Sequence, residues 1–226
     1  MISILHLDPS LVICVKPAGI LSQPSPRSEE SMLSLLAARC GGGIFPVHRL
    51  DRETGGVMVF ARTQRAAACL SQAMARREVR KIYCCVVSGH PLPERGVLKD
   101  LLYTDRARGK SFVVQRMRKG VKEAELSYEV LAAGEAHSLL RIELHTGRTH
   151  QIRVQFSSRR LPLVGDAKYG GERGELALWC AALRFCHPAS GRMTTFFVPP
   201  PAAGIWEEFP GQIDETRLCA PLPIQS

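Results

Sequence analysis

Short apolar runs recur along the chain, and most have the length of a β-strand. Continuous runs are typical of strands covered on both faces, whereas strict alternation predicts one buried and one exposed face. Segment 139–144 alternates, with Leu140, Ile142 and Leu144 opposing Arg141 and Glu143. The strands predicted in this way are 11–15, 57–61, 79–88, 126–131, 139–144, 179–186 and 194–198.

Three segments show helical spacing instead. Ser28–Arg39 repeats its apolar residues every three to four positions and meets three glycines at 41–43, which predicts a helix and its end. Thr63–Glu78 is predicted as a second helix with Thr63 as N-cap, and Thr149–Arg160 as a short third one. Because strands outnumber helices and are often joined by short connections, we expect an α+β fold. Its mixed, largely antiparallel central sheet would be flanked by helices and loops.

The net charge points to a polyanionic partner. The 226 residues include 30 basic and 21 acidic side chains, a formal charge of +9, and arginine outnumbers lysine by 23 to 7. Arginine suits bidentate phosphate contacts and stacking on bases, which favours nucleic acid or an anionic membrane. A GC-rich coding sequence would produce the same arginine excess without a structural reason, so composition alone leaves both interpretations open.

Other classes of protein fit the sequence poorly. No apolar stretch reaches the roughly 18–20 residues that span a bilayer, and the start shows no secretory pattern. The eight cysteines are scattered without a CxxC pair, which is poor support for a disulfide framework or a zinc site. We therefore expect a reduced, cytoplasmic protein without a membrane segment.

One segment concentrates unopposed positive charge. Arg106–Lys122, the basic hairpin, contains seven basic residues and no acidic one, and it is predicted to form two short strands around Phe112–Val114. Such a hairpin is either a solvated loop or a clamp on a phosphate backbone. The overall basicity favours the clamp, with Arg116, Arg118 and Lys119 as its candidate phosphate contacts.

Reactive groups gather in the segment His48–Gly56. Asp51 lies between Arg49 and Arg52, just before an apolar strand, and Gly55–Gly56 would allow a sharp turn there. On these residues alone, Asp51 is either a structural partner of an arginine or a reactive carboxylate.

A second pair of segments resolves that choice by resemblance. Leu144–Val154 reads LHTGRTHQIRV, and Leu163–Gly170 reads LVGDAKYG. With the first segment they resemble the RluA-type pseudouridine synthases, whose signatures are HRLDRxTSG and TGRxHQIRVH followed by GD..YG. The resemblance covers nearly the whole chain and implies a pseudouridine synthase-like catalytic domain over 1–210, without an S4 domain, followed by a tail at 211–226.

The resemblance also assigns roles to residues. Asp51 matches the catalytic aspartate, Tyr83 the tyrosine that stacks on the target base, and Arg153 the arginine that pairs with the aspartate. Gly55 replaces the family's serine and Gln155 a common histidine, and neither change touches this catalytic set. The implied substrate-binding residues are Arg49, which can fill the gap left by a flipped base, Ile152, which lines the base pocket, and Leu50, Arg52 and Arg148.

The implied reaction is an isomerisation of uridine in ribosomal or transfer RNA. It moves the uracil from an N1–C1′ to a C5–C1′ bond without adding atoms or electrons, so we expect no cofactor and no metal. His145 and His150 are a weak metal signal without a neighbouring acidic or cysteine ligand. RNA is the expected partner and a monomer the expected state. Two alternatives stay open: a glycosidase-type hydrolase using Asp51, and a non-catalytic RNA-binding or chaperone protein.

Overall fold

The structure, a computed structural model, describes residues 2–26 and 28–220, which contain eleven strands and four α-helices. The strands are β1 Ser3–Leu7, β2 Leu11–Lys16, β3 Phe45–Pro46, β4 Gly55–Ala61, β5 Arg80–Ser88, β6 Arg95–Asp105, β7 Lys110–Val114, β8 Val121–Ala133, β9 His137–Leu144, β10 Leu178–Cys186 and β11 Met193–Phe197. The helices are α1 Met32–Cys40, α2 Gln64–Ala75, α3 Gln151–Ser157 and α4 Glu215–Cys219. None of the helices in these described ranges is long and apolar enough to cross a bilayer.

The chain divides into two compact units. Unit 1 comprises the residues up to Lys81 together with Cys180–Pro199. Its strands follow the order β1-β2-β4-β10, with β3 added beside β4 and β11 beside β10. Every residue of β4 is buried, as the continuous apolar run predicts. Strand β2 pairs antiparallel with β4 over its full length, which places Lys16 opposite Gly56.

Unit 2 comprises Ile82–Trp179 and the chain from Pro200 onward. Its sheet is antiparallel throughout, in the order β5-β9-β8-β6-β7. Together the two sets of strands confirm the α+β class and the largely antiparallel pairing. The long strand β6, however, is absent from the sequence prediction.

The basic hairpin is built differently from the prediction. Residues 112–114 are not a turn between two short strands but part of one strand, β7. The tight turn lies before it, at residues 106–109, and joins β7 to β6. Residues 115–120 then form an exposed connection to β8. The basic hairpin therefore has two exposed turns, one at each end of β7.

The predicted helices exist, but their ends need correction. Helix α1 begins at Met32 rather than at residue 28, because Ser31 and Ser34 form a capping box. Thr63 caps α2 through a hydrogen bond from the Ala66 amide, as predicted, but α2 stops at Ala75, and Arg77 has a left-handed φ of 61°. The third helix is shortened to α3, which follows a left-handed His150.

Arg141 contradicts the predicted exposed face of β9. Its side chain is only 1% exposed, and Nη1 lies 3.7 Å from Glu129 Oε2 on the neighbouring strand β8. Its Nη2 donates a hydrogen bond to the carbonyl of Ala220. Both faces of β9 are therefore covered, and the charge is accommodated by partners far away in sequence.

The chain after Gly204 packs onto unit 2. Phe209 and Leu218 are buried, and Arg217 Nη2 donates to the carbonyl of Leu131 at 2.6 Å. The predicted tail, 211–226, thus includes helix α4, and its residues 221–226 lie outside the described residues. As far as residue 220, the segment covers the sheet of unit 2.

Candidate active site

The loop that carries Asp51 leads directly into β4. Asp51 is partly exposed, and its carbonyl accepts a hydrogen bond from the Thr54 amide at 3.2 Å. The chain turns at residues 52 and 53, before the glycine pair and not at it. Gly56 has another role: its φ is 122°, and a Cβ there would lie 2.2 Å from the carbonyl oxygen of Cys180. A side chain at position 56 would push β4 away from β10.

Lys16 lies beneath this loop with its side chain fully buried. Its Nζ donates to three carbonyl oxygens: Pro17 at 2.9 Å, Arg52 at 3.0 Å and Thr54 at 2.8 Å. A lysine ammonium has three N–H donors, so all of them are used. The side chain therefore holds the end of β2 and the main chain on both sides of Glu53 in one arrangement.

The position of Lys16 changes its titration. Burial lowers the pKa of Lys16 to about 8, although the nearby carboxylates of Asp51 and Glu53 act in the opposite direction. The folded protein therefore releases this proton at a lower pH than the unfolded chain does.

We expect the wild type to gain stability relative to Lys16→Met as the pH rises from about 8 to 10.5. In that range the unfolded state binds the extra proton, so the free energy of unfolding rises with pH, by on the order of 3 kcal/mol in total. Urea unfolding of both proteins at half-unit pH steps measures the difference, from which the titration of all other groups cancels. Parallel stability curves for the two proteins would contradict the expectation.

Other contacts hold the loop through its backbone. Ser22 Oγ donates to the carbonyl of Leu50 at 2.8 Å and accepts from the Leu50 amide at 3.0 Å. Arg52 Nε donates to the carbonyl of Gly19 at 2.9 Å.

His48, at the start of the loop, bonds to strand β4: its Nε2 accepts from the Val59 amide at 3.1 Å. Burial, helped by the charge of Lys81, lowers the pKa of His48 to about 3. His48 is thus neutral at physiological pH.

These contacts bear on three predicted substrate-binding residues. Leu50 is buried, and Arg52 braces the loop against the turn at Gly19. Arg49 is exposed and so can reach a bound molecule. Its predicted contact with RNA stays a prediction.

Arg153 belongs to unit 2, where it lies on α3 and is buried. Its Nε and Nη2 donate to the two carboxylate oxygens of Asp166 at 2.7 Å and 2.8 Å. This bidentate pair fixes the plane of the guanidinium, because both side chains are almost completely enclosed. Since Asp51 belongs to unit 1, the predicted pairing of Arg153 with Asp51 stays a prediction. Sequence reasoning missed Asp166, although the GD..YG block that contains it was part of the resemblance.

The other predicted residues of unit 2 lie on regular elements. Tyr83 is in β5 opposite Ile142, and Ile152 follows Gln151 on α3; both side chains are buried. Gln155, which stands where the family often has histidine, is also buried and donates to Asp100 Oδ2 at 2.7 Å. Its side-chain amide thus forms a hydrogen bond within unit 2.

The remaining predicted RNA contacts are basic. Arg148 is partly exposed, and its Nε donates to the carbonyl of Glu123 at 2.8 Å. Arg116, Arg118 and Lys119 are exposed in the connection between β7 and β8. The guanidinium of Arg118 lies 5.3 Å from the ring centre of Tyr103, a cation–π contact.

One cluster in unit 1 has the residue types of a metal site. The nearest ligand atoms of His6, Asp8 and His187 lie within 4.8 Å of one another. Asp8 Oδ2 makes hydrogen bonds to His6 Nε2 at 2.9 Å and to His187 Nε2 at 2.8 Å. Burial raises the pKa of Asp8, but these bonds and the amides of Ser10 and Leu11 outweigh it and lower the pKa overall.

The proton positions argue against a metal there. His187 Nδ1 accepts hydrogen bonds from the amides of Ala189 and Ser190, so the ring's proton is on Nε2 and is donated to Asp8. A histidine that binds metal through one nitrogen normally donates a proton from the other, and His187 has the reverse arrangement. These three side chains therefore fit a hydrogen-bonded cluster that joins the turn at Asp8 to the turn at His187, rather than a metal centre.

The chain is similar to known proteins over most of its length. A profile of the family described as RNA pseudouridylate synthase matches residues 10–158. An RNA pseudouridine synthase of Chloroflexus aurantiacus, named as uncharacterized, is 39% identical over 201 residues, which is 83% of this chain and 62% of that protein. Ribosomal large subunit pseudouridine synthase D of Neisseria meningitidis is 33% identical, over 88% of this chain and 58% of the relative. This chain spans less than two thirds of either relative.

A Bacillus subtilis protein and a solved structure extend the comparison. The Bacillus subtilis protein, again named as an uncharacterized RNA pseudouridine synthase, is 32% identical over 89% of this chain and 69% of its own. The structure of human RNA pseudouridylate synthase domain containing 4 aligns with a TM-score of 0.73 and 25% identity over 88% of each chain. The similarity therefore holds in sequence and in fold.

Proposed function

The chain belongs to the RNA pseudouridylate synthase family, and from this premise we propose that it isomerises uridines in structured RNA to pseudouridine with Asp51 as the catalytic carboxylate. The observation that carries the proposal is the family match over residues 10–158, which includes Asp51, Tyr83 and Arg153. The braced, partly exposed loop around Asp51 supports it, because a reacting group needs a fixed position and access to substrate.

The reaction defines what Asp51 must supply. The N1–C1′ bond of uridine breaks, the uracil turns, and C5 bonds to C1′ while the proton of C5 is transferred to N1. A carboxylate can serve by attacking C1′, by adding to C6 of the base, or by taking a proton from C2′. Each route uses an ionised carboxylate.

Tyr83 and Arg153 have proposed roles in the same reaction. A uridine stacked in a helix cannot reach Asp51, so it must flip out at a cost of a few kcal/mol. Stacking on the ring of Tyr83 would return about 1–3 kcal/mol of that cost. The proposed role of Arg153 is to orient the carboxylate of Asp51. The ion pair with Asp166 suits Arg153 to this role, because it fixes the orientation of the guanidinium.

Two classes of RNA are proposed as substrates. Two relatives are named ribosomal large subunit pseudouridine synthase D, which makes ribosomal RNA the first candidate and transfer RNA the second. Pseudouridine mapping of total RNA from cells with and without the gene decides between them. Complementation with the Asp51→Asn gene controls for binding effects without chemistry.

The mapping also separates the alternatives. A uridine modified only when the wild-type gene is present supports the proposal. Release of free uracil by the purified protein would instead support a glycosidase-type hydrolase. An unchanged pseudouridine map, with RNA that still co-purifies with the protein, would support a non-catalytic RNA-binding protein.

We expect the combined change of Arg116, Arg118 and Lys119 to glutamine to weaken RNA binding and flatten its salt dependence. Each lost phosphate contact reduces the slope of log affinity against log salt by roughly 0.7–0.9, so the triple variant loses up to about three times that amount. Turnover of bound RNA should change little. Binding isotherms at several salt concentrations measure the slope.

A matched control removes the same charge elsewhere. Arg65, Arg76 and Arg192 are exposed arginines of unit 1, and their change to glutamine lowers the net charge equally. An equal loss of slope in both triple variants would show a general effect of charge. An unchanged slope in the first variant would mean that the basic hairpin faces away from RNA.

A further inference from the structure

We propose that Tyr169 is a positioning residue that couples the basic hairpin to Arg153. This inference rests on the proposed function, because it assigns a role in the same reaction. Tyr169 is 5% exposed and ends the short 3₁₀ turn Ala167–Tyr169, three residues after Asp166. It contacts Arg153 with its ring and β7 with its hydroxyl.

The hydroxyl of Tyr169 has two partners. The Ser111 amide of β7 donates to it at 2.7 Å, and His150 Nδ1 lies 2.8 Å away. The hydroxyl therefore accepts a hydrogen bond from the amide and makes a second one with His150 Nδ1, whose direction is set by the tautomer of the histidine. The hydroxyl thus joins the edge of β7 to the residue before α3, the helix that carries Arg153.

The ring of Tyr169 supports the guanidinium. Its centre is 5.3 Å from Cζ of Arg153, while Asp166 holds the edge of the same guanidinium. Lys110 Nζ of β7 lies 4.9 Å from the same ring centre. The orientation of Arg153 therefore depends on the position of a ring that the basic hairpin also contacts.

Three more hydrogen bonds tie β7 and the turn before it to this region. Lys110 Nζ donates to the carbonyl of Lys168 at 2.5 Å, and Lys168 Nζ donates back to the carbonyl of Gly109 at 3.2 Å. Ser111 Oγ donates to the carbonyl of Thr149 at 2.7 Å. If bound RNA displaced β7, Tyr169 and α3 would move with it, because closely packed and hydrogen-bonded elements cannot shift independently.

Tyr128 provides a matched control. It is also a buried tyrosine of unit 2, 6% exposed, and its hydroxyl donates to the carbonyl of Pro93 at 2.8 Å. Its ring packs edge-on against Phe156 of α3. Tyr128→Phe thus removes a buried hydroxyl of the same kind without touching the contact between a ring and Arg153.

The first experiment compares single-turnover rates on an unmodified large-subunit ribosomal RNA transcript. At saturating RNA we expect Tyr169→Phe to be about tenfold slower and Tyr169→Leu about a hundredfold slower, since small misplacements of a catalytic group have effects of this size. RNA affinity should stay within a few-fold, and Tyr128→Phe should keep the wild-type rate. A loss in Tyr128→Phe equal to that in Tyr169→Phe, at equal folded fractions, would overturn the proposal.

The second experiment is independent of turnover. The Nε–H resonance of Arg153, identified by its disappearance in Arg153→Lys, is followed by NMR while a short stem-loop RNA is added. We expect this resonance to shift on RNA addition in the wild type and to shift less in Tyr169→Phe. An equal shift in both proteins would overturn the coupling, whereas a wild type that shows the shift but no conversion of uridine would overturn only the proposed function.

Discussion

Asp51→Asn is expected to abolish the conversion of uridine to pseudouridine while RNA affinity changes no more than a few-fold. The amide has the size of the carboxylate but cannot act as a nucleophile or a base, so turnover should fall by about three orders of magnitude or more. The main-chain hydrogen bond from the Thr54 amide to the carbonyl of residue 51 can still form in this variant, because it does not use the side chain. Single-turnover conversion at saturating RNA measures the effect.

Glu53→Gln is the matched control for this change. Glu53 is an exposed carboxylate in the same turn, two residues away, so the variant loses the same charge from the same loop. We expect it to turn over at close to the wild-type rate. If Asp51→Asn retained a tenth of the wild-type rate, Asp51 would not be the catalytic carboxylate.

The second large effect is expected for Arg153→Lys, at about a hundredfold loss of turnover. Lysine keeps the charge but cannot make two parallel hydrogen bonds to Asp166, so the orientation that the pair fixes is lost. The buried carboxylate of Asp166 also loses a donor, which should lower the free energy of unfolding by about 1–3 kcal/mol. Turnover must therefore be measured where circular dichroism shows the variant to be folded.

Arg141→Lys separates orientation from stability. Arg141 is a second buried arginine of unit 2 with a carboxylate partner, Glu129, so its change to lysine should lower stability in the same way. We expect Arg141→Lys to keep near-normal turnover when folded. Similar turnover in the two lysine variants would show that Arg153 acts through packing alone.

Much of the fold could be predicted because apolar runs of strand length are a local signal. Strand β6 shows where this signal fails. Leu98, Asp100 and Leu102 occupy alternate positions, and the two leucines are buried while Asp100 interrupts the apolar row. Asp100 forms an ion pair with Arg159, whose Nη1 lies 2.9 Å from Asp100 Oδ2. Arg159 is distant in the sequence, so no local pattern shows this partner. The same holds for Arg141, whose burial depends on Glu129 and the carbonyl of Ala220.

The candidate site was predictable to a different degree. The resemblance pointed to Asp51, Tyr83 and Arg153 because it rests on long signatures in a fixed order. It did not point to Lys16 as a support, since lysine side chains are rarely buried and nothing local shows three carbonyl oxygens converging on one. The sequence also did not identify Asp166 as the partner of Arg153, because their contact depends on how the chain turns after α3.

The support of the Asp51 loop has a consequence for how freely its sequence can vary. The hydrogen bonds from Lys16 and Ser22 to the loop join main-chain atoms, at Leu50, Arg52 and Thr54, so they can form whichever side chain occupies position 53. Substitutions in a saturation library should therefore be tolerated at exposed position 53 and rejected at positions 16 and 56, where a buried amine and an absent Cβ are required. The loop's geometry is thus encoded partly outside the segment His48–Gly56, at Lys16 and Ser22, and partly by the last residue of that segment, Gly56.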